Sequence, residues 1–502
     1  MSSFARVLSE HARTRPDDVA VRLDEHVLTW RGFDDATARV AAWLRADGVR
    51  PGDRVALVLP NVLEFPVLYH GALRAGAVVV PMNPLLRGRE VSHHLTDSGA
   101  VLVLAWHTVA DASHAGAVGT GARVVVVEPA ATQALLAGHE PEPAVHDPAP
   151  GETAVLLYTS GTTGAPKGAE LTHHNLFSNA VTTQECLVQL GEGDTVLGAL
   201  PLFHAFGQTC AMNTAVVAGR TLSLLPRFTA AAALAVVERD RVTHFAGVPT
   251  MYVAMLHEPT ATGFDLSSWR SCVSGGASLP VEVLRGFEER FGVSVLEGYG
   301  LSETSPVASF NHPGAVRRAG TIGTPVRGCE MDLRGADGAR VTDGVGEIVI
   351  RGENVMKGYW RNETATAQAI TDGWFRTGDL ATRDADGYYT IVDRAKDMID
   401  RAGFNVYPRE VEEVLYEHPA VEQAAVVGFP DPLVGEEVGA AVVLREGSSA
   451  TPEELQRHVK DRLAAYKYPR RVWIVTELPK GPTGKILKRE IHPPARAEET
   501  QA

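Results

Sequence analysis

The chain has 502 residues, a length that exceeds a single compact core and predicts at least two domains. An apolar fraction of 45% and a charged fraction of 22% are typical of folded, water-soluble proteins and argue against a disordered or fibrous chain. The 61 acidic residues outnumber the 47 basic ones, and the net charge of -14 disfavours a nonspecific binder of nucleic acid or of anionic membranes.

The four cysteines are widely spaced and lack the CxxC or Cys/His spacing of zinc sites, so we expect reduced thiols. The N-terminus carries charges within its first turns and lacks the apolar stretch of a signal peptide. The sequence contains no uninterrupted run of about 18 apolar residues, so no transmembrane helix is predicted. The sequence therefore predicts a cytoplasmic protein without stable membrane insertion, and it leaves a homodimer open.

The predicted elements begin, from Asp53 onward, with alternating strands and helices. Apolar runs and helical patterns follow one another at 55–59, 61–76, 77–80, 90–97 and 101–105. Fully apolar strands separated by helices predict a mostly parallel sheet covered on both faces, the doubly wound α/β arrangement. A similar alternation continues past Thr195.

The pattern changes twice further along the chain. From about Val326, short strands and tight turns such as Asp343-Gly344 predict a β-rich subdomain. After residue 395, helical patterns at 409–417 and after Thr451-Pro452 alternate with apolar runs. We therefore predict an α/β protein with a large N-terminal domain, residues 1–395, made of doubly wound sheets and the β-rich subdomain. A small, mobile α+β domain, residues 396–502, is predicted to follow it.

A glycine-rich segment follows the apolar run 154–157. It reads Tyr158-Thr159-Ser160-Gly161-Thr162-Thr163-Gly164-Ala165-Pro166-Lys167-Gly168. Glycines let backbone N–H groups converge on an anion, hydroxyls add donors and a lysine adds positive charge, so the segment predicts a phosphate-binding loop. It is not a Walker motif, because a proline precedes the lysine and no Ser or Thr directly follows it. A flexible surface turn is the simpler alternative.

The stretch 159–168 resembles the signature of the adenylate-forming superfamily, which contains acyl-CoA synthetases, firefly luciferase and the adenylation domains of peptide synthetases. Further blocks stand in the family's order, at 201–207, 274–277, 298–304, 375–379, 393–397 and 481–485. The chain looks closest to bacterial long-chain fatty-acid:CoA ligases. The resemblance implies an enzyme that uses ATP and Mg²⁺ to activate a carboxylic acid as an acyl-adenylate, releases pyrophosphate, and passes the acyl group to coenzyme A with release of AMP.

The resemblance also implies which residues bind the nucleotide and the other cofactors. These are Thr159, Ser160, Gly161, Thr162, Thr163, Gly164, Lys167, Gly276, Ala277, Gly298, Tyr299, Gly300, Asp379, Arg394 and Gly403. Tyr299 is expected to stack on adenine, and Asp379 and Arg394 to contact the ribose. Taken alone, Asp379 would be an ordinary turn residue.

A second group of residues is expected to act on the phosphates and the metal. The resemblance implies that Ser302 donates to the α-phosphate and that Glu303 holds Mg²⁺, with Thr159 beside it, because Mg²⁺ prefers hard oxygen ligands shared with phosphates. Taken alone, Glu303 would be a solvated surface acid. Lys485 matches the family's catalytic lysine, which bridges the substrate carboxylate and the α-phosphate.

The C-terminal region is expected to alternate between two reactions. Lys396 falls on the family's hinge position, and rotation there would present either Lys485 or the loop 401–405 to the substrates. Gly403 would leave space for the pantetheine arm of CoA. Two departures stand in this region: Ala402 replaces a glycine, and Asp400 introduces an acid that would oppose thiolate formation if it faced the thiol.

The resemblance implies that His204 sits where the carboxylate enters, as a gate and orienting group, although a lone histidine between aromatic residues is more often a core residue. The acyl pocket is expected to be lined by His204, Phe206, Gly207, Gly247, Val248 and Thr250. These stretches contain no Lys or Arg, so a second carboxylate would be buried unpaired, which favours a medium- or long-chain fatty acid. An aromatic or short acid, a carrier-protein thiol as acceptor, and a nonenzymatic adenylate sensor remain the alternatives.

Overall fold

The computed structural model describes residues 3–159, 166–395, 397–431, 433–481 and 484–494. A first sheet contains, in spatial order, strands Gly358–Tyr359, Lys167–Thr172, Thr153–Thr159, Val78–Pro81, Arg54–Val58, Leu102–Trp106 and Arg123–Val127. Its last five strands are parallel, and the strand that enters the glycine-rich segment is paired antiparallel with the strand that leaves it. The predicted alternation of strands and helices from Asp53 is confirmed.

A second sheet carries most of the other predicted sequence motifs of the large domain at the ends of its strands. Its strands, in spatial order, are Thr324–Pro325, Val307–Phe310, Ser294–Gly300, Ser271–Ser274, His244–Gly247, Thr195–Gly198, Thr221–Leu224, Val19–Leu23 and His26–Thr29. The strands from Ser294–Gly300 to Val19–Leu23 run parallel. Because parallel strands end at the same edge of a sheet, the segments that follow 198, 247, 274 and 300 all emerge on one side.

Helices cover these sheets and bury a large apolar core between them and a second, smaller one on the other face of the first sheet. The α-helices are Phe4–Thr14, Trp30–Ala46, Glu64–Ala75, Gly88–Ser98, Ala110–Ala117, Pro129–Ala137, His173–Thr183, Ala205–Gly207, Thr214–Ala218, Ala230–Arg239, Pro249–Leu256, Val281–Phe291, Glu363–Ala369, Pro408–Tyr416 and Pro452–Lys460. Segments Gln184–Val188 and Gln208–Asn213 are π-helical, and His107–Val109, Ala261–Gly263, Ser302–Thr304 and Lys488–Glu490 are 3₁₀ turns.

Local sequence explains where several of these helices begin and end. Thr172 caps the helix His173–Thr183 by accepting from the Asn175 N–H, while the Asn175 side chain accepts from the Thr172 N–H in return. Gly76 ends the helix Glu64–Ala75 at φ 84°, a conformation that glycine adopts without steric cost. Pro66 lies in the first turn of that helix, where its missing N–H leaves no hydrogen bond unmade.

The β-rich region and the C-terminal region form separate sheets. Antiparallel strands Cys329–Arg334, Gly346–Gly352, Trp374–Arg383, Ile370–Thr371 and Tyr389–Arg394 form the first of these. Strands Phe404–Val406, Ile399–Arg401, Gly435–Leu444, Val421–Asp431 and Arg471–Ile474 form the other, with a core of its own. The predicted fold, a large N-terminal α/β domain followed by a smaller C-terminal domain, is confirmed, while the boundary at residue 395 and the mobility of the small domain stay predictions. None of the described helices has both the length and the apolar character needed to cross a membrane.

Candidate active site

The predicted site residues of the large domain gather at the edge where the parallel strands end. His204 follows strand Thr195–Gly198, Val248 follows His244–Gly247, Gly276 follows Ser271–Ser274, and Tyr299 lies at the end of Ser294–Gly300. A hydrogen bond joins this edge to the glycine-rich segment of the other sheet, since the Thr159 hydroxyl donates to Glu303 Oε1 at 3.2 Å. The two sheets therefore bring the phosphate-loop block and the block at 298–304 together, as the sequence predicts.

Glu303 sits at the centre of a group of oxygen atoms. Its side chain is buried, and Oε1 also accepts from the Tyr359 hydroxyl at 3.0 Å. The Lys167 ammonium lies over the Tyr359 ring, 5.3 Å from its centroid, which places a cation beside the same group. A carboxylate with an adjacent threonine hydroxyl is a hard-oxygen donor set, so Glu303 and Thr159 fit the Mg²⁺ that the family implies.

Asp379 forms a second polar group on the β-rich sheet. Asp379 is 4% exposed. Its Oδ2 accepts a hydrogen bond from the Tyr299 hydroxyl at 2.6 Å, and its Oδ1 pairs with Arg394 Nε at 2.9 Å. Asp379 and Arg394 stand opposite each other on adjacent antiparallel strands, so the ladder fixes their approach. The three sequence blocks that contain Tyr299, Asp379 and Arg394 are thus in contact, and the Asp379 carboxylate is already paired with the Arg394 guanidinium.

Burial and charge set the protonation states in this second group. Burial, reinforced by the neighbouring Asp379 carboxylate, holds the pKa of Tyr299 well above its usual value, so the phenol stays a donor. Burial opposes the charge on Arg394, but Asp379 and the nearby acids raise the pKa of the guanidinium overall. Arg394 is therefore a fixed positive charge, and Asp379 can accept hydrogen bonds from ribose hydroxyls.

The two described ends of the glycine-rich segment contact the helix Gly88–Ser98. The Tyr158 hydroxyl donates to Asp97 Oδ2 at 2.6 Å, and His93 Nε2 donates to the Pro166 carbonyl at 3.1 Å. The indole N–H of Trp360 donates to the backbone carbonyl of Asp97 at 3.1 Å. Sequence reasoning missed these supporting residues, because nothing in the helix sequence indicates which loop it will contact. The predicted ligands Ser160, Gly161, Thr162, Thr163 and Gly164 lie outside the described residues.

His204 precedes the short helix Ala205–Gly207 and is held by it. Its Nδ1 accepts from the Phe206 N–H at 3.3 Å, so the neutral ring carries its proton on Nε2. Burial, helped by the positive charge of Lys485, lowers the pKa of His204 to about 4. The imidazole is consequently neutral at physiological pH and can donate to a carboxylate, as expected of an orienting group.

The small domain places Lys485 on the same side of the molecule as His204. The Thr250 hydroxyl donates to the Gly484 carbonyl at 3.1 Å, which joins the lysine loop to the segment predicted to line the acyl pocket. Gly484 has φ 79°, and a Cβ there would approach Thr250 Oγ1 to 2.8 Å, so only glycine fits this contact. The structure thus places the Gly484-Lys485 segment against the residues predicted to line the acyl pocket, while the catalytic role of Lys485 stays a prediction. Lys396, the predicted hinge, lies outside the described residues.

Gly403 lies on a different part of the small domain. It occupies the tip of the hairpin between Ile399–Arg401 and Phe404–Val406, is exposed, and has φ 82°. Asp400, the unusual acid, is also exposed, and its Oδ1 accepts from the Gly403 N–H at 2.8 Å. The structure therefore does not join Gly403 to the nucleotide-contacting residues in this orientation, and the Asp400 carboxylate stabilises the turn.

Two of the predicted pocket glycines serve close packing. A Cβ on Gly207 would come within 2.3 Å of the Pro201 carbonyl oxygen, and one on Gly247 would come within 2.5 Å of the Phe245 ring. Both are among the residues expected to line the acyl pocket, which stays a prediction. In the structure their missing side chains allow backbone and ring atoms to approach, which helps to fix the positions of His204 and Val248.

The glycines and small residues of the nucleotide blocks behave in the same way. A Cβ on Gly298 would meet the Phe310 ring at 2.1 Å, and one on Gly300 would meet the Pro306 carbonyl oxygen at 1.6 Å. Gly276 has φ 80°, which requires glycine or a strained residue. These glycines shape the strand ends that carry Tyr299, while Ser302 begins the 3₁₀ turn that carries Glu303.

Comparison with known proteins agrees with this arrangement. The family described as AMP-binding enzyme matches residues 8–360, and the AMP-binding enzyme C-terminal domain matches residues 410–485. A long-chain-fatty-acid–CoA ligase of Bacillus subtilis (strain 168) is 36% identical over 97% of this chain and 93% of its own length. A feruloyl-CoA synthase of an Amycolatopsis species is 41% identical over 96% of each chain.

A solved structure extends the likeness to the whole fold. The anthranilate CoA ligase AuaEII, in complex with anthranoyl-AMP, superposes with a TM-score of 0.92 at 29% identity, covering 97% of this chain and 96% of that one. Together with the two sequence relatives, it confirms the resemblance drawn from the motifs. The chain belongs to the AMP-binding enzyme family of adenylate-forming proteins and is an AMP-forming acid–CoA ligase.

Proposed function

We propose that this ligase activates a medium- or long-chain fatty acid, with Mg²⁺ as the metal. The observation that carries the proposal is the character of the acyl segments. Residues 204–214 and 247–250 contain no Lys or Arg, and Phe206 and Val248 are 7% and 4% exposed. A substrate with a second carboxylate would bury an unpaired charge there, which costs several kcal/mol, whereas an alkyl chain replaces water favourably.

The residues of the large domain are proposed to hold the reactants. Asp379 accepts from the ribose hydroxyls, Arg394 contacts the same sugar, and Tyr299 stacks on adenine. His204 donates through Nε2 to the substrate carboxylate and orients it. Fatty-acid carboxylates are ionised near neutral pH, so the nucleophile needs no general base.

Adenylation then joins a carboxylate oxygen to the α-phosphorus and breaks the bond to pyrophosphate. Lys485 is proposed to bridge the carboxylate and the α-phosphate, and Ser302 donates to an α-phosphate oxygen, so both stabilise the charge that develops. Mg²⁺ bound by Glu303 and Thr159 would supply neutralisation of the phosphate charge. The Lys167 ammonium, beside Tyr359, adds a further cation near the phosphate loop.

The thioester step is proposed to use a different orientation of the small domain. Rotation about Lys396 would remove Lys485 and bring the hairpin with Gly403 to the site, where CoA sulfur attacks the acyl carbonyl and AMP leaves. The exposed position of that hairpin supports this proposal, because a segment that must enter another surface cannot be packed into its own domain. The relative named as a bacterial long-chain-fatty-acid–CoA ligase also supports the fatty-acid assignment.

A hydroxylated aromatic acid is the second candidate, favoured by a buried amide next to the predicted acyl pocket. Gln208 is fully buried, its Oε1 accepts from the Tyr69 hydroxyl at 3.3 Å, and its Nε2 lacks a partner among the described residues. A buried unpaired donor costs about 1–3 kcal/mol, and a polar substituent on the acyl group would satisfy it. The relative named feruloyl-CoA synthase supports this candidate.

A panel of acids in the pyrophosphate-exchange assay, with and without CoA, separates the two candidates. The fatty-acid proposal expects exchange to rise with alkyl chain length and to exceed that with cinnamate-type acids. The variant Gln208→Met sharpens the result, because it removes the amide at similar volume. It should preserve exchange with fatty acids, and a selective loss with hydroxylated aromatic acids would establish the second candidate instead.

A further inference from the structure

Glu297 is a buried acid to which the reaction above gives no role, although it lies two residues before Tyr299. It is 2% exposed, and its Oε1 accepts from the Leu279 N–H at 3.0 Å. Its side chain therefore ties strand Ser294–Gly300 to the segment that follows Ser274-Gly275-Gly276-Ala277. Both connected segments carry residues expected to bind the nucleotide, Tyr299 on one and Gly276 and Ala277 on the other, so the position of this carboxyl affects the shape of the nucleotide pocket.

The segment that Glu297 holds also meets the helix Pro408–Tyr416 of the small domain, which we call the docking helix. From this helix, Arg409 donates to the carbonyls of Ile391 at 2.7 Å and Gly320 at 3.2 Å, both in the large domain. Glu413, one turn further on, accepts from the Val281 N–H at 3.4 Å. The positive charge of Arg409 lowers the pKa of Glu297. Glu297 Oε2 has no hydrogen-bond partner within the described part of the chain.

The charges around Glu297 keep it close to a balance between its two protonation states. Burial raises the pKa of Glu297 to about 7, Arg409 opposes that rise, and Glu413 adds to it. Arg409 and Glu413 are the charged groups that change the pKa of Glu297 among the described residues, and they also pair with each other, since Arg409 Nε lies 3.7 Å from Glu413 Oε1. Because Arg409 favours the ionised form of Glu297, the ionised form must equally favour the docked position of Arg409.

We propose that Glu297 is a positioning residue that couples docking of the small domain to the adenine pocket. Ionised Glu297 attracts Arg409 and favours the orientation that presents Lys485, and the protonated form releases that attraction. The coupling rests on the proposed alternation of the small domain. It acts on the adenylation step and is independent of which acid the enzyme activates.

The test compares Glu297→Gln with the wild-type enzyme across pH 6–8. Glutamine keeps the shape and the acceptor for Leu279 N–H but cannot ionise. Pyrophosphate exchange of the wild type should rise by up to about tenfold between pH 6 and pH 8, since the ionised fraction of a group with a pKa of about 7 increases about tenfold over that range. Glu297→Gln should stay near the low-pH wild-type rate. A variant that retains the wild-type pH profile overturns the proposal, because titration of the nucleotide itself is common to both enzymes.

Glu413→Gln is the matched control. It removes the neighbouring negative charge and keeps the acceptor, so the pH dependence should persist with its midpoint shifted to lower pH. Loss of the pH dependence in Glu413→Gln but not in Glu297→Gln would assign the effect to Glu413 and overturn the role given to Glu297.

AMP affinity, measured by calorimetry at pH 6 and pH 8, gives a readout that needs no acid. Wild type and Glu297→Gln should bind AMP equally at pH 6, and the variant should bind more weakly at pH 8. If the wild type shows no exchange with any acid, the proposed substrate fails, while the AMP comparison still decides the role of Glu297. Equal affinities at both pH values count against it.

Discussion

The two parts of the site differ in how much of their geometry exists before substrates arrive. In the large domain, Asp379 is buried and already bonded to Tyr299 and Arg394, and Glu303 already accepts from Thr159 and Tyr359. In the small domain, Lys485 is exposed, and the hairpin 400–404 protrudes from the edge of its sheet. On the proposed function, the large domain is a fixed receptor, and the small domain supplies groups whose effect depends on docking.

This difference assigns separate tasks to the two regions. Preorganised dipoles and charges lower a barrier because they need no rearrangement at the moment of reaction. A group that must leave so that a second reaction can use the same pocket cannot be buried in it. The large domain therefore should determine nucleotide affinity, and the small domain should determine which half-reaction proceeds. The predictions below test that division.

The largest effect is expected from Lys485→Ala. Removal of one positive charge from the developing charge at the α-phosphate should reduce adenylation by about a hundredfold to a thousandfold, the range found when one stabilising donor is deleted. Thioester formation from supplied acyl-adenylate should be retained, because that step is proposed to use the other orientation. Pyrophosphate exchange and a stopped-flow thioester assay measure the two steps separately. An equal loss in both would contradict the division of tasks, and Lys460→Ala, another exposed lysine of the small domain, serves as the control.

Glu303→Gln should affect the metal before the nucleotide. The amide keeps an oxygen that can accept from Thr159 and Tyr359 but loses the negative charge that Mg²⁺ requires. The Mg²⁺ concentration for half-maximal exchange should rise at least about tenfold. Loss of a residue that only supports a metal ligand already lowers metal affinity by about that factor, and Glu303 is proposed to be a ligand itself. Titration of activity with Mg²⁺ measures it. Glu330→Gln, an exposed acid on the β-rich sheet, should leave the titration unchanged.

Asp379→Asn should weaken both ATP binding and the fold. The amide cannot balance Arg394, whose side chain is 35% exposed, so screening by water reduces the penalty to about 1–3 kcal/mol instead of the larger cost of a fully buried charge. The KM for ATP should rise about tenfold with a smaller change in kcat, because the ribose contact is made in the ground state as well. Urea unfolding and steady-state kinetics give the two values. An unchanged KM would remove Asp379 from the nucleotide site.

Sequence reasoning located the parts of the site that depend on local motifs. The alternation of apolar strands and helices fixes where each strand ends, and so the common edge that carries His204, Val248 and Tyr299 is predictable. The contacts of Tyr359 with Glu303 and of Asp97 with Tyr158 were not predictable, since each joins residues distant in sequence through packing of separate elements. The packing role of Gly207 was missed for the same reason.

The smallest expected effect concerns Ala402, which stands where the resemblance implies a glycine. Ala402 and Gly403 form the tip of the hairpin with φ values of 54° and 82°. A left-handed conformation is costly for alanine and free for glycine, but glycine also loses more entropy on folding, so Ala402→Gly should stabilise the protein by no more than about 1 kcal/mol.

Thermal unfolding measures the stability change, and the thioester assay tests whether the hairpin's shape is already correct. Because Ala402 has the backbone conformation that the turn requires, Ala402→Gly should leave the rate of acyl transfer to CoA within about twofold. Adenylation should not change, since that step is proposed to use Lys485 and not the hairpin. A large gain in acyl transfer would show that alanine at this position obstructs the thiol, and that the small domain, unlike the large one, is not yet in its working geometry.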